Sequence, residues 1–142
     1  MQYQKAQNAI ILRLDPGDEL ISSIKELAQK EGIKTAIVSG IGAANEVEVG
    51  CYAVGEKTYH STIHEGEMEI IGLAGNLSTM NGEVYLHVHT SLAHENGTVY
   101  GGHLNKARIS ATAEIFIQPI DHVLERQYDD NTGLNILRFV EQ

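Results

Sequence analysis

Tryptophan is absent from this chain, cysteine occurs once and proline twice. One thiol cannot close an internal disulfide or supply a multi-cysteine zinc site. Cys51, in a strand-like run beside Tyr52, reads as a small buried thiol. Long apolar runs are also missing. Nowhere do about 18 uninterrupted apolar residues occur, and Met1-Gln-Tyr-Gln-Lys-Ala-Gln7 sets no apolar run behind a basic start, so neither a membrane span nor a signal peptide is expected. A cytoplasmic protein is the expectation. Basic residues are few: ten Lys and Arg stand against 19 Asp and Glu, a formal charge of −9. That balance repels phosphate backbones, and the scattered lysines mark no basic patch. The isolated chain is expected to bind duplex DNA more weakly than about 10⁻⁵ M at physiological salt.

What is present is 142 residues, 42% of them hydrophobic, the size of one domain (1–142) with one core. Ile10, Ile11, Leu12 and Leu14 suit a strand buried on both faces. Asp15 is placed to cap a helix with Pro16 at its first position. Leu20, Ile21, Ile24, Leu27 and Ala28 form an apolar stripe, and Gly32 ends the helix. Thr35 to Ser39 is the next strand, so the chain opens with a βαβ unit whose strands run parallel and whose helix covers one sheet face. Ser39-Gly40-Ile41-Gly42 begins like a dinucleotide fingerprint, but a strand follows where a helix N-terminus is needed. Further strands are expected over Glu46 to Tyr52, Lys57 to His64, Glu67 to Leu77 and Lys106 to Ile117, with two short ones between Leu124 and Val140. On the Glu67 strand, Ile71, Leu73 and Leu77 are expected on one face, and the small residues Gly72 and Ala74 on the other, leaving room for another backbone. The fold class is α/β (α+β), with a single mixed, largely antiparallel sheet.

The chemistry concentrates in Tyr85-Leu-His-Val-His-Thr-Ser-Leu-Ala-His94. Alternation puts Leu86, Val88, Thr90 and Leu92 on one strand face and Tyr85, His87, His89 and Ser91 on the other, so two imidazoles stand side by side. Asn81-Gly82 and Asn96-Gly97 are hairpin turns that place this strand between two antiparallel neighbours. An ideal two-residue turn at Asn96-Gly97 sets His89 near Leu104, with His103 on the wrong face. A bulge at Gly101-Gly102 would slip the register by one residue and turn His103 inward. His60 and His64 are expected on a solvated surface.

In this order, Leu12-Arg13-Leu14 with Pro16-Gly17-Asp18-Glu19, Ser39-Gly40-Ile41-Gly42, Glu69-Ile70 with Leu73-Ala-Gly75-Asn76, His87-Val-His89, Gly101-Gly102-His103-Leu104 and Thr112-Ala-Glu114-Ile-Phe-Ile117 resemble the PPC domain. This plant and prokaryote conserved domain stands alone in bacteria and archaea, and beside AT-hooks in plant nuclear proteins. The resemblance is strongest over residues 7–120. It implies an antiparallel-rich α/β domain, a homotrimer, a metal held by His87, His89 and His103, and a DNA-binding label. The chain departs from the plant pattern in having no Arg-Gly-Arg-Pro hook and only four arginines.

Three neutral imidazoles without a thiolate suit zinc or a similar ion and leave a fourth position open. A hydrolytic site would also need a carboxylate near the metal-bound water, and Glu69 and Glu114 are the candidates, each equally readable as a residue orienting a ligand. No nucleophile stands at a diagnostic spacing from a base. Two functions follow. One is a trimeric metal-binding module associated with DNA or transcription, contacting DNA weakly or through a partner protein. The other is a small metal-dependent enzyme or small-molecule binder using the open position. The reading leans away from catalysis.

Overall fold

The computed structural model describes residues 1–139. Among these residues the strands are β1 (Gln2–Lys5), β2 (Ile10–Leu14), β3 (Ala36–Ala53), β4 (Thr58–Met80), β5 (Glu83–His94), β6 (Val99–Pro119), β7 (Glu125–Asp129) and β8 (Leu134–Arg138), and one helix, α1 (Leu20–Glu31), lies between β2 and β3. All eight strands join one sheet in the order β1-β2-β6-β3-β4-β7-β8, with β5 bridging β4 and β6. Every pairing is antiparallel except the β4–β7 contact, so the sheet is mixed and largely antiparallel, as expected. Val140, the last residue of the anticipated tail strands, lies outside the described residues.

The opening unit is split. β2 and β3 both run antiparallel to β6, so they are parallel to each other, but β6 lies between them. The helix starts later than the Asp15-Pro16 reading placed it. Asp15 to Asp18 is a turn closed by Asp18 N–H to Asp15 O at 3.1 Å, with Gly17 at φ 91°. The cap is Glu19, whose carboxylate accepts from the Ile21 and Ser22 N–H groups at 3.0 and 2.7 Å. A carboxylate there meets the unpaired N–H groups and the positive end of the helix dipole. The same carboxylate accepts from Ala107 N–H at 3.1 Å, pinning the helix start to β6. Gly32 ends the helix in the left-handed region at φ 67°.

Leu20, Ile24, Leu27 and Ala28 of α1 join Leu12, Leu14, Ala36, Val38, Leu73, Leu77, Val88, Leu92, Ile115 and Ile117 in one core on one face of the sheet. The other face is open. Two corrections follow from where strand faces change. Ile71 is a bulge residue, since β4 pairs Ile70 with Leu92 but Gly72 with Ser91. The extra residue sends both Ile70 and Leu73 into the core and leaves Ile71 52% exposed, so Ile71 and Leu73 do not share a face. Cys51 is exposed, not buried. It has the parity of buried Val47 and Val49, but lies on the β3–β4 ribbon, opposite His60, where the flanking strand is exposed.

β4 and β5 pack closely at Gly75, not at Gly72. A Cβ on Gly75 would lie 2.6 Å from Val88 Cα and would collide with the His87 carbonyl oxygen, whereas at Gly72 the nearest atom is Ser91 Oγ at 3.6 Å. Gly75→Ala is therefore expected to cost about 1–3 kcal/mol by overpacking the backbone behind His87, and Gly72→Ala much less. Denaturant unfolding of the two variants checks the difference; equal midpoints would contradict the register.

Candidate metal centre

Two turns of different length bring three imidazoles together. Between β4 and β5 the loop is Asn81-Gly82, both at positive φ (55° and 83°), with Met80 opposite Glu83. This two-residue turn matches strand twist and pairs His87 with Asn76 and His89 with Ala74. Between β5 and β6 the loop is one residue longer. His94 N–H donates to Thr98 O at 2.9 Å and Gly97 N–H to His94 O at 2.8 Å, leaving Glu95, Asn96 and Gly97 in the loop, with Gly97 at φ 79°. That is the three-residue hairpin with glycine in the left-handed position.

The extra loop residue performs the slip assigned from sequence to a bulge at Gly101-Gly102. The β5–β6 ladder is regular from Ala93↔Val99 through Ser91↔Gly101 to His89↔His103, with no bulge at the glycine pair. Those glycines instead allow close approach. A Cβ on Gly102 would lie 2.5 Å from Gly50 O, and one on Gly101 2.6 Å from Thr90 O. The sequence conclusion that His103 joins the other two stands, by a different mechanism.

The ring centroids of His87, His89 and His103 are 5.1, 5.1 and 5.5 Å apart, and one nitrogen from each falls within 4.8 Å of the others. Nε2 of His87 and of His89 are 3.2 Å apart. Zinc–imidazole bonds of about 2.0–2.1 Å separate neighbouring donors in a tetrahedral set by roughly 3.3 Å, so the donor set fits such an ion with small ring adjustments. His89 is exposed and the other two half-buried, so the open side faces outward. Burial lowers the His87 imidazole to about 4, helped by the positive charge of Arg126 and then by His103 and His89. Burial first and His89 second also lower His103. Both rings are thus neutral donors at neutral pH.

The residue that sequence reasoning missed is Arg126, from β7. Its guanidinium donates from Nε to Ser78 Oγ at 2.8 Å, from Nη1 to Asn135 O at 2.7 Å and from Nη2 to Asn76 Oδ1 at 3.0 Å, and Nη2 lies 3.4 Å from His87 Nδ1. The Tyr85 ring lies beneath it, 4.7 Å from centroid to Cζ. Only its position in a tail hairpin, far along the chain from the histidines, concealed it. The carboxylates proposed from sequence are elsewhere. Glu69 pairs with Ala93, four residues or roughly 13 Å along β5 from His89. Glu114, opposite Arg13, stands eleven residues along β6 from His103. Neither belongs to the cluster. His60 is exposed, whereas His64 is half-buried against Tyr100 and His94, at centroid distances of 4.6 and 6.0 Å.

An α+β sheet with one helix on one face and a three-histidine cluster on the other defines the class of protein. The sequence pattern of the Plants and Prokaryotes Conserved (PCC) domain matches residues 1–121, and the chain belongs to that family. Among solved structures, a candidate DNA-binding protein of Bacteroides thetaiotaomicron is 29% identical and superposes with a TM-score of 0.95, covering 97% of this chain and 96% of that one. A metal-containing protein of Archaeoglobus fulgidus is 31% identical with a TM-score of 0.86, covering 97% of each chain. The bifunctional protein GlmU of Synechococcus sp. (strain JA-3-3Ab) is 28% identical over 125 residues, 86% of this chain but 19% of that protein's length. Among the described residues no helix is long and apolar enough to cross a membrane.

The low His87 value has a consequence for stability without metal. Between its folded value of about 4 and the ordinary histidine value of 6.5, the folded chain binds fewer protons than the unfolded chain. Stability is therefore lost as pH falls through that window. His87 is only half-buried, so solvent screening limits the effect to about 1–2 kcal/mol. Chelator-treated protein should show a lower denaturant midpoint at pH 4.5 than at pH 7, and His87→Gln should reduce that drop. An identical drop in the variant would contradict the assignment.

Proposed function

We propose that the chain is a single-domain, cytoplasmic, homotrimeric metal-binding module of the PPC type, associated with DNA or transcription through partner proteins. The observation that carries the metal reading is the convergence of three imidazole nitrogens within 4.8 Å on an open sheet face. His87, His89 and His103 would hold a divalent ion, zinc by donor type, and such an ion supplies a Lewis-acidic position for one further ligand. The metal-containing relative of similar fold supports this reading. The structural likeness to a candidate DNA-binding protein supports a DNA-associated role, while the charge of −9 supports contact through a partner over direct phosphate binding. A module is favoured over a hydrolase because the two carboxylates offered as a base stand away from the cluster.

The trimer reading draws support from the open face. Exposed Ile11, Ile37, Ile41, Ile71 and Phe116, between 40% and 57% accessible, lie on strands β2, β3, β4 and β6. The paired row Ile11, Phe116, Ser39, Ala74 and His89 runs across that face to the cluster. Apolar area of this kind marks an interaction surface, and cyclic symmetry would cover it.

Metal analysis tests the central reading. The purified chain should carry or take up one divalent ion per chain, and His87→Ala should abolish uptake; stoichiometric metal in that variant rejects the ligand set. Light scattering at micromolar concentration should give three times the chain mass, and Phe116→Glu should reduce it. A monomeric or dimeric wild-type mass rejects the trimer.

A further inference from the structure

We propose that the open position of the three-histidine site takes a small oxyanion, a carboxylate or inorganic phosphate, and that Arg126 is the fixed positive charge that selects it; this rests on the metal reading above. Arg126 is 8% exposed. A guanidinium so far from water ordinarily has a carboxylate partner, because neutral acceptors satisfy its N–H groups without cancelling its charge. Here the three oxygen acceptors, Ser78 Oγ, Asn135 O and Asn76 Oδ1, are all neutral. Among the described residues no carboxylate forms an ion pair with it. Among the described residues the three imidazoles likewise have no carboxylate partner in the cluster.

Among the described residues this region combines a buried cation with three neutral ligands, and the carboxylate that approaches it, Glu48, is held off by Asn105 and Tyr59, whose ring centroid is 6.1 Å from that of His103. Loaded with a divalent ion, it would hold three positive charges with no carboxylate of the described residues in contact with them. An anion from outside is the compensation the geometry leaves room for, on the outward side where His89 is exposed. Arg126 does not grip that anion, since its guanidinium lies behind the His87 ring, 3.4 Å from Nδ1. It acts through the field it sets across the His87 ring, and the Ser78, Asn76 and Tyr85 contacts keep it there. It is therefore a positioning residue. It also lies beyond residues 1–121, so the tail hairpin of this chain contributes the charge that the family-matched segment does not.

The test uses the full chain loaded with Co²⁺, whose visible absorption reports its ligands, titrated separately with acetate and with inorganic phosphate. Wild type should show a saturable spectral shift with at least one of them, and the responding anion identifies the class. Arg126→Gln should retain metal but bind that anion about tenfold more weakly, the scale of two unit charges roughly 9 Å apart across a partly buried ring at an effective dielectric of about 20–30. Arg126→Lys should recover most of the affinity, which a merely structural role would not produce. If Arg126→Gln fails to fold, Arg126→Lys carries the comparison and must stay within about threefold of wild type. Metal-loaded wild type that responds to neither anion, or an Arg126→Gln variant with unchanged anion affinity, overturns the proposal while leaving the metal reading intact. Wild type that takes up no Co²⁺ overturns both.

Discussion

The register of β5 between its two neighbours is the constraint on which the site depends. Side chains on a strand alternate, so a shift of one residue in either ladder would exchange the core row Val88, Thr90, Leu92 with the histidine row. Two short turns and a buried apolar row enforce one answer. The Asn81-Gly82 turn sets the β4 ladder, the Glu95-Asn96-Gly97 turn sets the β6 ladder, and Val88 and Leu92 are almost fully buried. The imidazoles meet because core burial on the opposite face leaves the strand no other register. Stability and site geometry are thus set by the same pairings.

Much of this was legible because its signals are local. The apolar stripe of α1, Gly32 at its end, the Asn81-Gly82 hairpin and the outward pairing of His87 with His89 each depend on a few adjacent residues. The three-histidine cluster needed one non-local fact, the length of the second turn. Asn96-Gly97 is equally the core of a two-residue loop and the end of a three-residue one. The difference lies in whether His94 pairs with Thr98, which the packing of the strands decides. The inference of a bulge at Gly101-Gly102 had the correct displacement and the wrong location.

The features that were not legible involve distant chain segments. Nothing near Arg126 in sequence signals that its guanidinium will lie 3.4 Å from His87, because that contact exists only once the β7–β8 hairpin docks on β4 through Thr79 and Glu125. The helix cap was missed for a related reason. Glu19 both caps α1 and binds the β6 backbone at Ala107, so tertiary contact favours it over the better local candidate, Asp15. Ile71 reads as a core residue by alternation and is exposed because of a bulge that alternation cannot reveal.

The two faces of the sheet divide its work. Against α1 the sheet forms a closed apolar core, while the open face carries exposed isoleucines, Phe116 and the imidazoles in one continuous surface. A row of paired residues leads from Ile11 through Phe116, Ser39 and Ala74 to His89. A partner covering the apolar part would therefore end beside the cluster, restrict water there, and strengthen the field that Arg126 sets across His87. Assembly and ligand binding, if both use this face, would then be physically linked, since whatever lowers the local dielectric raises the cost of leaving a metal-loaded site's positive charge uncompensated.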